Sequence, residues 1–383
     1  FIANDSTDIR RSDEKYRDDE DSVFSNQTSL QLDINPGNNW EHKVLMGVEF
    51  NLEAEKRYTQ ALTGVDSPVT DLFNPTPNDA YLENYQRTGT FSSADSTTMA
   101  AYLSDSIKIN DYWQVNGGLR YDGFELEYAP DGELLSERKD NMLSYRVGVV
   151  FKPVQEGSIY FGYGTSFNPT AEALSISTSS RSPGIADLDP EENTTMELGV
   201  KWELSERRML GSAAIFQTKK TNARTQDPND PNDLLVLEGE QLVRGIELGL
   251  AGNISDTVAI YAGYTFLDTE ITGSKDLSEL GQELPNSPEH SFNLWATWST
   301  TMNTQLGLGA QYVDKRYNSI ANTRFGPDYW VYEASVTYVA SDSLNFRLNM
   351  QNLTDEKYID FVGGGHFIPG MGRLVMLSSN FSF

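Results

Sequence analysis

Along residues 344–351, Leu344, Phe346, Leu348 and Met350 alternate with Asn345, Arg347, Asn349 and Gln351. A period of two places each set on one face of an extended strand. Residues 196–204 repeat the pattern, with Met196, Leu198, Val200, Trp202 and Leu204 against Glu197, Gly199, Lys201 and Glu203. In 143–152, Leu143, Tyr145, Val147, Val149 and Phe151 oppose Ser144, Arg146, Gly148 and Lys152. At the end of the chain, Val375, Leu377, Phe381 and Phe383 share one face, and Met376, Ser378, Asn380 and Ser382 the other. Matches to a helical period are fewer in nearly every segment.

Applied along the chain, the pattern predicts about 15 strands. Their expected spans are 25–34, 40–58, 97–110, 113–127, 141–153, 158–168, 194–204, 209–223, 242–254, 258–270, 289–300, 305–317, 330–340, 344–358 and the tail from residue 373. Turn residues such as Asn35-Pro36-Gly37 and Ser255-Asp256-Thr257 close alternate pairs. Longer polar connections, among them 59–96, 169–193, 224–241, 271–288, 318–329 and 359–372, separate the pairs. Residues 1–20 read as a polar loop or arm.

One face of these strands is apolar and the other carries charge. A charged continuous face is a poor protein core, because unpaired buried charges are costly. It suits a wall around water or a polar plug. Short turns alternating with long loops, and Trp40, Tyr112, Trp113, Trp298 and Tyr338 at strand ends, fit a membrane barrel with interfacial aromatic belts. The expected fold is all-β, a transmembrane antiparallel β-barrel. A large soluble all-β protein is the alternative.

Composition adds exclusions. The 383 residues carry a net charge of −27, which argues against a nucleic-acid partner. Mean hydropathy is −0.48, and no apolar run is long enough for a helical span. The chain has no cysteine and shows no leader peptide at Phe1, and an odd strand count suggests a fragment of a longer barrel. His42, His290 and His366 lie far apart, and no metalloprotease, nucleophile-elbow or cysteine metal spacing occurs. Asp187, Asp189, Glu191 and Glu192, and the stretch Asp227–Asp233, read as solvated acidic loops in preference to calcium sites. No catalytic residue, cofactor or resident metal is expected, and the chain is not read as an enzyme.

Several stretches then carry a resemblance. Gln351-Asn352-Leu353-Thr354-Asp355-Glu356-Lys357-Tyr358, followed by Gly370-Met371-Gly372-Arg373 and the Phe-terminated strand, resembles the C-terminal signature of TonB-dependent outer-membrane receptors. Gly118-Leu119-Arg120-Tyr121-Asp122, Glu197-Leu198-Gly199-Val200-Lys201-Trp202 and Arg244-Gly245-Ile246-Glu247-Leu248 look like that family's barrel. The stretch from Ile215 to Arg224 is similar to its catecholate-siderophore branch.

The resemblance implies an outer-membrane receptor and active transporter for ferric siderophores. Cobalamin, haem or a glycan as cargo, or a passive channel, are the alternatives. It implies a barrel of about 22 strands around an N-terminal plug. Residues 1–383 are then expected to form one partial barrel domain without the plug, holding roughly strands 8 to 22. Implied partners are the ferric siderophore, with iron present only as cargo, and the TonB-ExbB-ExbD system, reached through the missing N-terminal part. Outer-membrane lipid, lipopolysaccharide and the barrel-assembly machinery complete the set.

A ferric catecholate is an aromatic anion, so cations and rings near the loops are its expected contacts. The candidates are Phe167, Arg181, Lys219, Lys220, Arg224, Lys315, Arg316, Tyr317, Arg324, Phe325, Tyr329, Phe361 and Phe367. Arg373, Phe381 and Phe383 are read as barrel-closure and assembly residues, and Arg244 as a pairing residue within the wall. A haem receptor would want paired outer histidines, and His366 alone is expected at the loop end.

Overall fold

The computed structural model describes residues 8–10, 18–37, 40–62, 69–71, 85–129, 136–169, 189–206, 208–226, 235–363 and 366–382. Fifteen strands form one antiparallel sheet in sequence order. They are β1 (Asp19–Ile34), β2 (Glu41–Leu62), β3 (Tyr85–Lys108), β4 (Trp113–Ala129), β5 (Ser136–Val154), β6 (Gly157–Asn168), β7 (Glu191–Leu204) and β8 (Met209–Gln226). There follow β9 (Leu235–Asn253), β10 (Val258–Gly273), β11 (His290–Thr301), β12 (Thr304–Val313), β13 (Tyr329–Ser341), β14 (Leu344–Gln351) and β15 (Leu374–Phe381). Short ladders join Asp8–Arg10 to Val69–Asp71, Arg316–Tyr317 to Phe325–Gly326, and Ile359–Gly363 to His366–Pro369. The helical content among the described residues is one 3₁₀ turn, Leu277–Glu279, capped by Asp276, whose carboxylate accepts from the Ser278 amide at 2.9 Å.

The expected strands are all present, with altered limits. β2 runs on to Leu62, and β3 begins at Tyr85, inside the stretch read as a loop. The polar segment before residue 20 contributes Asp8–Arg10 and the start of β1. These extensions carry polar residues on both faces, so no alternation marks them. Conversely, β12 stops at Val313 and β14 at Gln351, earlier than expected. At the second stop, Asn352 (φ 46°) and Asp355 (φ 57°) take the left-handed region, which ends an extended strand.

Asn352 holds that turn. Its side-chain amide donates to the Glu356 and Met371 carbonyls, both at 2.9 Å, while its oxygen accepts from the Glu356 amide at 2.8 Å. The Asp355 carboxylate accepts from the Arg373 amide at 3.0 Å. Tyr358 lies where a Cβ on Gly370 would fall, so only glycine fits there. The motif that carries the family resemblance is therefore a clasp that stops β14 and launches β15.

The two faces of the sheet differ as the alternation requires. On one, Leu30, Met46, Leu103, Leu119 and Tyr145 line up across five strands. Leu30, Leu103, Leu119, Leu198, Leu308 and Leu377 on this face are all exposed. A soluble protein would bury such a belt; a bilayer covers it. On the other face, Gly47, Tyr102, Arg120 and Ser144 form the corresponding row. Gln27 donates to the Tyr102 hydroxyl at 2.9 Å. Arg120 reaches Asp122 at 2.7 Å and Glu49 at 3.0 Å. Exposed Trp40, Tyr112, Trp113, Trp298 and Tyr338 cluster at the short-turn end, where an interfacial belt belongs. At that end, Ser205 (φ 51°) and Glu206 (φ 57°) make the left-handed turn that suits a tight hairpin.

On the polar face, rings repeatedly lie over a glycine of the neighbouring strand. Tyr102 faces Gly47, Tyr160 faces Gly199, Phe216 faces Gly245 and Trp295 faces Gly309 in direct register. Each ring occupies the space of the absent Cβ, which pins the register. A Cβ on Gly245 would meet the Phe216 ring and lie 2.9 Å from the Phe266 carbonyl oxygen, whereas one on Gly162 would meet nothing within 4 Å. Gly245→Ala should therefore lower stability by about 1–3 kcal/mol, and Gly162→Ala should leave it near the parent. Urea unfolding midpoints of the protein in lipid vesicles give the comparison; equal midpoints would contradict the register.

Candidate functional site

Three long connections meet at the loop-bearing end of the sheet: 274–289, 314–328 and 352–373. Arg316 is their joint. It is 7% exposed, and its guanidinium donates to the carbonyls of Asp360 and Ile359, both at 2.7 Å. Its carbon lies 5.3 Å from the centre of the Tyr329 ring, and Tyr329 packs on Tyr358 at 4.4 Å between centroids. Asn286 clamps Val362 from both sides, donating to its carbonyl and accepting from its amide. The Asn286 amide in turn donates to the Tyr317 carbonyl at 3.0 Å. Asn322 does the same for Glu283, accepting from its amide at 2.7 Å and donating to its carbonyl at 3.0 Å. Asn286 and Asn322 both take positive φ, 53° and 50°, which asparagine tolerates better than most residues.

This assembly gathers eight of the thirteen proposed contacts: Lys315, Arg316, Tyr317, Arg324, Phe325, Tyr329, Phe361 and Phe367. Phe325, Phe361 and Phe367 are exposed, as is Arg324. Tyr317 meets Phe325 edge-on at 6.3 Å. The Lys315 ammonium lies 3.1 Å from the Tyr317 hydroxyl and 4.0 Å from Glu283. The Tyr317 contact first, and then the Glu283 charge, hold its pKa above the usual lysine value, so it stays cationic. Arg316 and Tyr329 are buried and belong to the packing beneath the exposed rings.

The remaining candidates lie elsewhere. Lys219 pairs with Glu240 at 3.0 Å, and Lys220 with buried Glu191 at 3.3 Å, so both are tied to acids of the wall. Arg224 lies on β8; Arg181, Phe383, Asp187 and the 227–233 acidic stretch fall outside the described residues. Arg373 offers its backbone amide to Asp355, and Phe381 pairs with Leu344 on the edge strand β15. Arg244 reaches Asp268 at 3.6 Å and Gln217 at 3.3 Å on the adjoining strands.

Phe167 lines a cavity of about 800 Å³ on the polar face. Its wall holds Arg57 and Arg120, which lie on strands and so outside the loop candidates. Arg57 pairs with Asp19 at 2.8 Å and Glu55 at 2.7 Å, and Arg120 with Asp122 and Glu49, so both cations are already neutralised. Their signal was present in the sequence as charges at inward positions of alternating strands. The expectation for histidines needs correction: His290 begins β11 and so joins His366 at the loop-bearing end. His290 is held by the Tyr264 hydroxyl at 2.9 Å, while His366 lies against Phe361.

Comparison with known proteins agrees with this architecture. Residues 2–353 match the family described as TonB dependent receptor-like, beta-barrel. The probable TonB-dependent siderophore receptor PiuA of Acinetobacter baumannii is 32% identical over 333 residues, covering 82% of this chain and 44% of PiuA. The catecholate siderophore receptor Fiu of Escherichia coli K12 is 27% identical over 400 residues, covering 96% of this chain and 52% of Fiu. The closed crystal form of Fiu superposes with a TM-score of 0.83 at 26% identity, covering 96% of this chain and 55% of that one. The PiuA crystal structure gives 0.84 at 29% identity, covering 95% and 56%. The chain thus spans about half the length of the curated relatives it matches. With the sheet, the lipid-facing belt and the family match in agreement, this chain belongs to the TonB-dependent receptors and carries strands of their outer-membrane β-barrel.

Proposed function

We propose that the chain is part of the barrel of an outer-membrane receptor that binds ferric siderophores of the catecholate type and imports them with energy delivered through TonB. The observation that carries this reading is the loop assembly. Exposed Phe325, Phe361 and Phe367 stand with Lys315 and Arg324 at one end of a barrel whose relatives include receptors named for catecholate siderophores. Rings and cations together suit an aromatic anion, each good cation–π contact being worth about 0.5–2 kcal/mol. The net charge of −27 repels anions in bulk, so attraction has to be local to those cations. One continuous sheet supports reading residues 1–383 as one partial barrel domain. A plug and the TonB-ExbB-ExbD system are the further partners this function needs. Lipid, lipopolysaccharide and the assembly machinery are those that any such barrel needs. Iron enters as cargo.

Iron-starved cells expressing the receptor should accumulate labelled ferric catecholate only with an energised inner membrane and an intact TonB. Leakage of many small solutes without energy would indicate a passive pore. Within that assay, Phe325→Ala combined with Phe367→Ala should weaken ferric-catecholate binding about tenfold. Uptake of an unrelated control cargo by its own receptor should be unaffected.

Arg316 generates a separate expectation. Truncation in Arg316→Ala leaves two carbonyls without their charged donor, a local loss of about 1.5–3 kcal/mol. Amides in 316–326, 359–363 and 366–369 should then exchange faster with deuterium, while those of β5 to β9 keep their protection. Unchanged exchange in both hairpins would show that Arg316 does not hold them together.

A further inference from the structure

We propose that Glu289, His290 and Asp314 form a binding site for a first-row divalent metal ion at the foot of the loop assembly, separate from the cargo. Among the described residues, one donor atom from each of these three side chains lies within 4.8 Å of the others. No spacing motif marks it, because Glu289 and His290 lie at the start of β11 and Asp314 just past the end of β12. Pairing of β11 with β12 brings them together: Ser291 faces Val313, and one step further the Asp314 amide donates to the His290 carbonyl at 3.0 Å. Two ligands are thus held by the backbone ladder, and Glu289 is next to one of them in sequence.

The imidazole is positioned as well as placed. Its Nδ1 bonds the Tyr264 hydroxyl at 2.9 Å, and its ring stacks on Tyr264 at 6.1 Å and leans on Phe266 at 5.3 Å. With Nδ1–H donating to that hydroxyl oxygen, Nε2 carries the free lone pair, and it lies 3.8 Å from the Glu289 carboxylate. A partner on the far nitrogen that fixes the tautomer is a regular accompaniment of metal-bound histidine. Neither carboxylate has a lysine or arginine within ion-pairing distance among the described residues; the nearby Lys315 ammonium turns to Tyr317 and Glu283. A cation between them would relieve that repulsion.

Donor chemistry selects the ion. One imidazole and two carboxylates suit Zn²⁺ or Mn²⁺ class ions; copper(I) wants sulfur, and Mg²⁺ and Ca²⁺ want all-oxygen shells. Metal–ligand bonds of about 2.0–2.2 Å place ligand atoms roughly 3.3 Å apart in a tetrahedron, so small side-chain rotations close the site. A bound ion would cross-link the end of the 274–289 connection to the start of 314–328, next to Lys315, whose amide donates to the Asp314 carboxylate at 2.7 Å.

Calorimetric titration of the detergent-purified protein with Zn²⁺ tests the site. One equivalent should bind, and Mg²⁺ should not compete. His290→Gln and Asp314→Asn should abolish binding, and Tyr264→Phe should weaken it about tenfold by freeing the ring. His42→Gln and His366→Gln should bind as the parent does. Zn²⁺ should raise the melting temperature of the parent but not of His290→Gln, with circular dichroism showing that the variant is folded. No binding by the parent, or undiminished binding by folded His290→Gln, overturns the proposal. Neither result bears on siderophore uptake, which is read in a different assay.

Discussion

In a bilayer no water is available to satisfy a peptide group, so every backbone donor and acceptor in the spanning region must find a partner within the protein. The continuous antiparallel ladder meets that demand for the strands between β1 and β15, and it dictates much else. A sheet paired this way has side chains at period two, and a one-residue slip would turn every face over. Here the slip would drive Arg120 and Glu49 toward lipid and Leu103 and Leu119 toward water. An arginine at the bilayer midplane alone costs about 2–4 kcal/mol. The rings laid over Gly47, Gly199, Gly245 and Gly309 add a steric check, since each fits its glycine in one register. Electrostatics forbids the wrong face, and shape complementarity selects the right residue.

Because lipid enforces the alternation, strands within the membrane were legible in the sequence. Where β2 and β3 run beyond it, the constraint lapses, and the polar residues of 85–96 looked like a loop. The ends of β12 and β14 were illegible for a different reason. Val313 and Gln351 are followed directly by Asp314 and Asn352, and these two with Asp355 redirect the backbone through side-chain hydrogen bonds, which a period of two does not register.

The candidate site was legible only as a composition. Aromatic and basic residues in the last loops pointed to a common region, and eight of them do converge. Their division of labour could not be read. Arg316 looks like Arg324 in the sequence, yet one is buried between two hairpins and the other is exposed. Lys219 and Lys220 likewise resemble ligand contacts until cross-strand register hands them Glu240 and Glu191. Distinguishing these roles requires knowing which loop lies beside which, and no local period encodes that.

The stitching of 283–286, 315–326 and 359–363 by Arg316, Asn286 and Asn322 has a consequence for how such a surface can change. These segments are far apart in the chain but share partners for their peptide groups. A substitution or graft confined to one of them strands hydrogen bonds in the other two. Recognition at this end of the barrel is therefore inherited, and can be transplanted, as a three-part block whose seams lie at the strand ends and not between its loops.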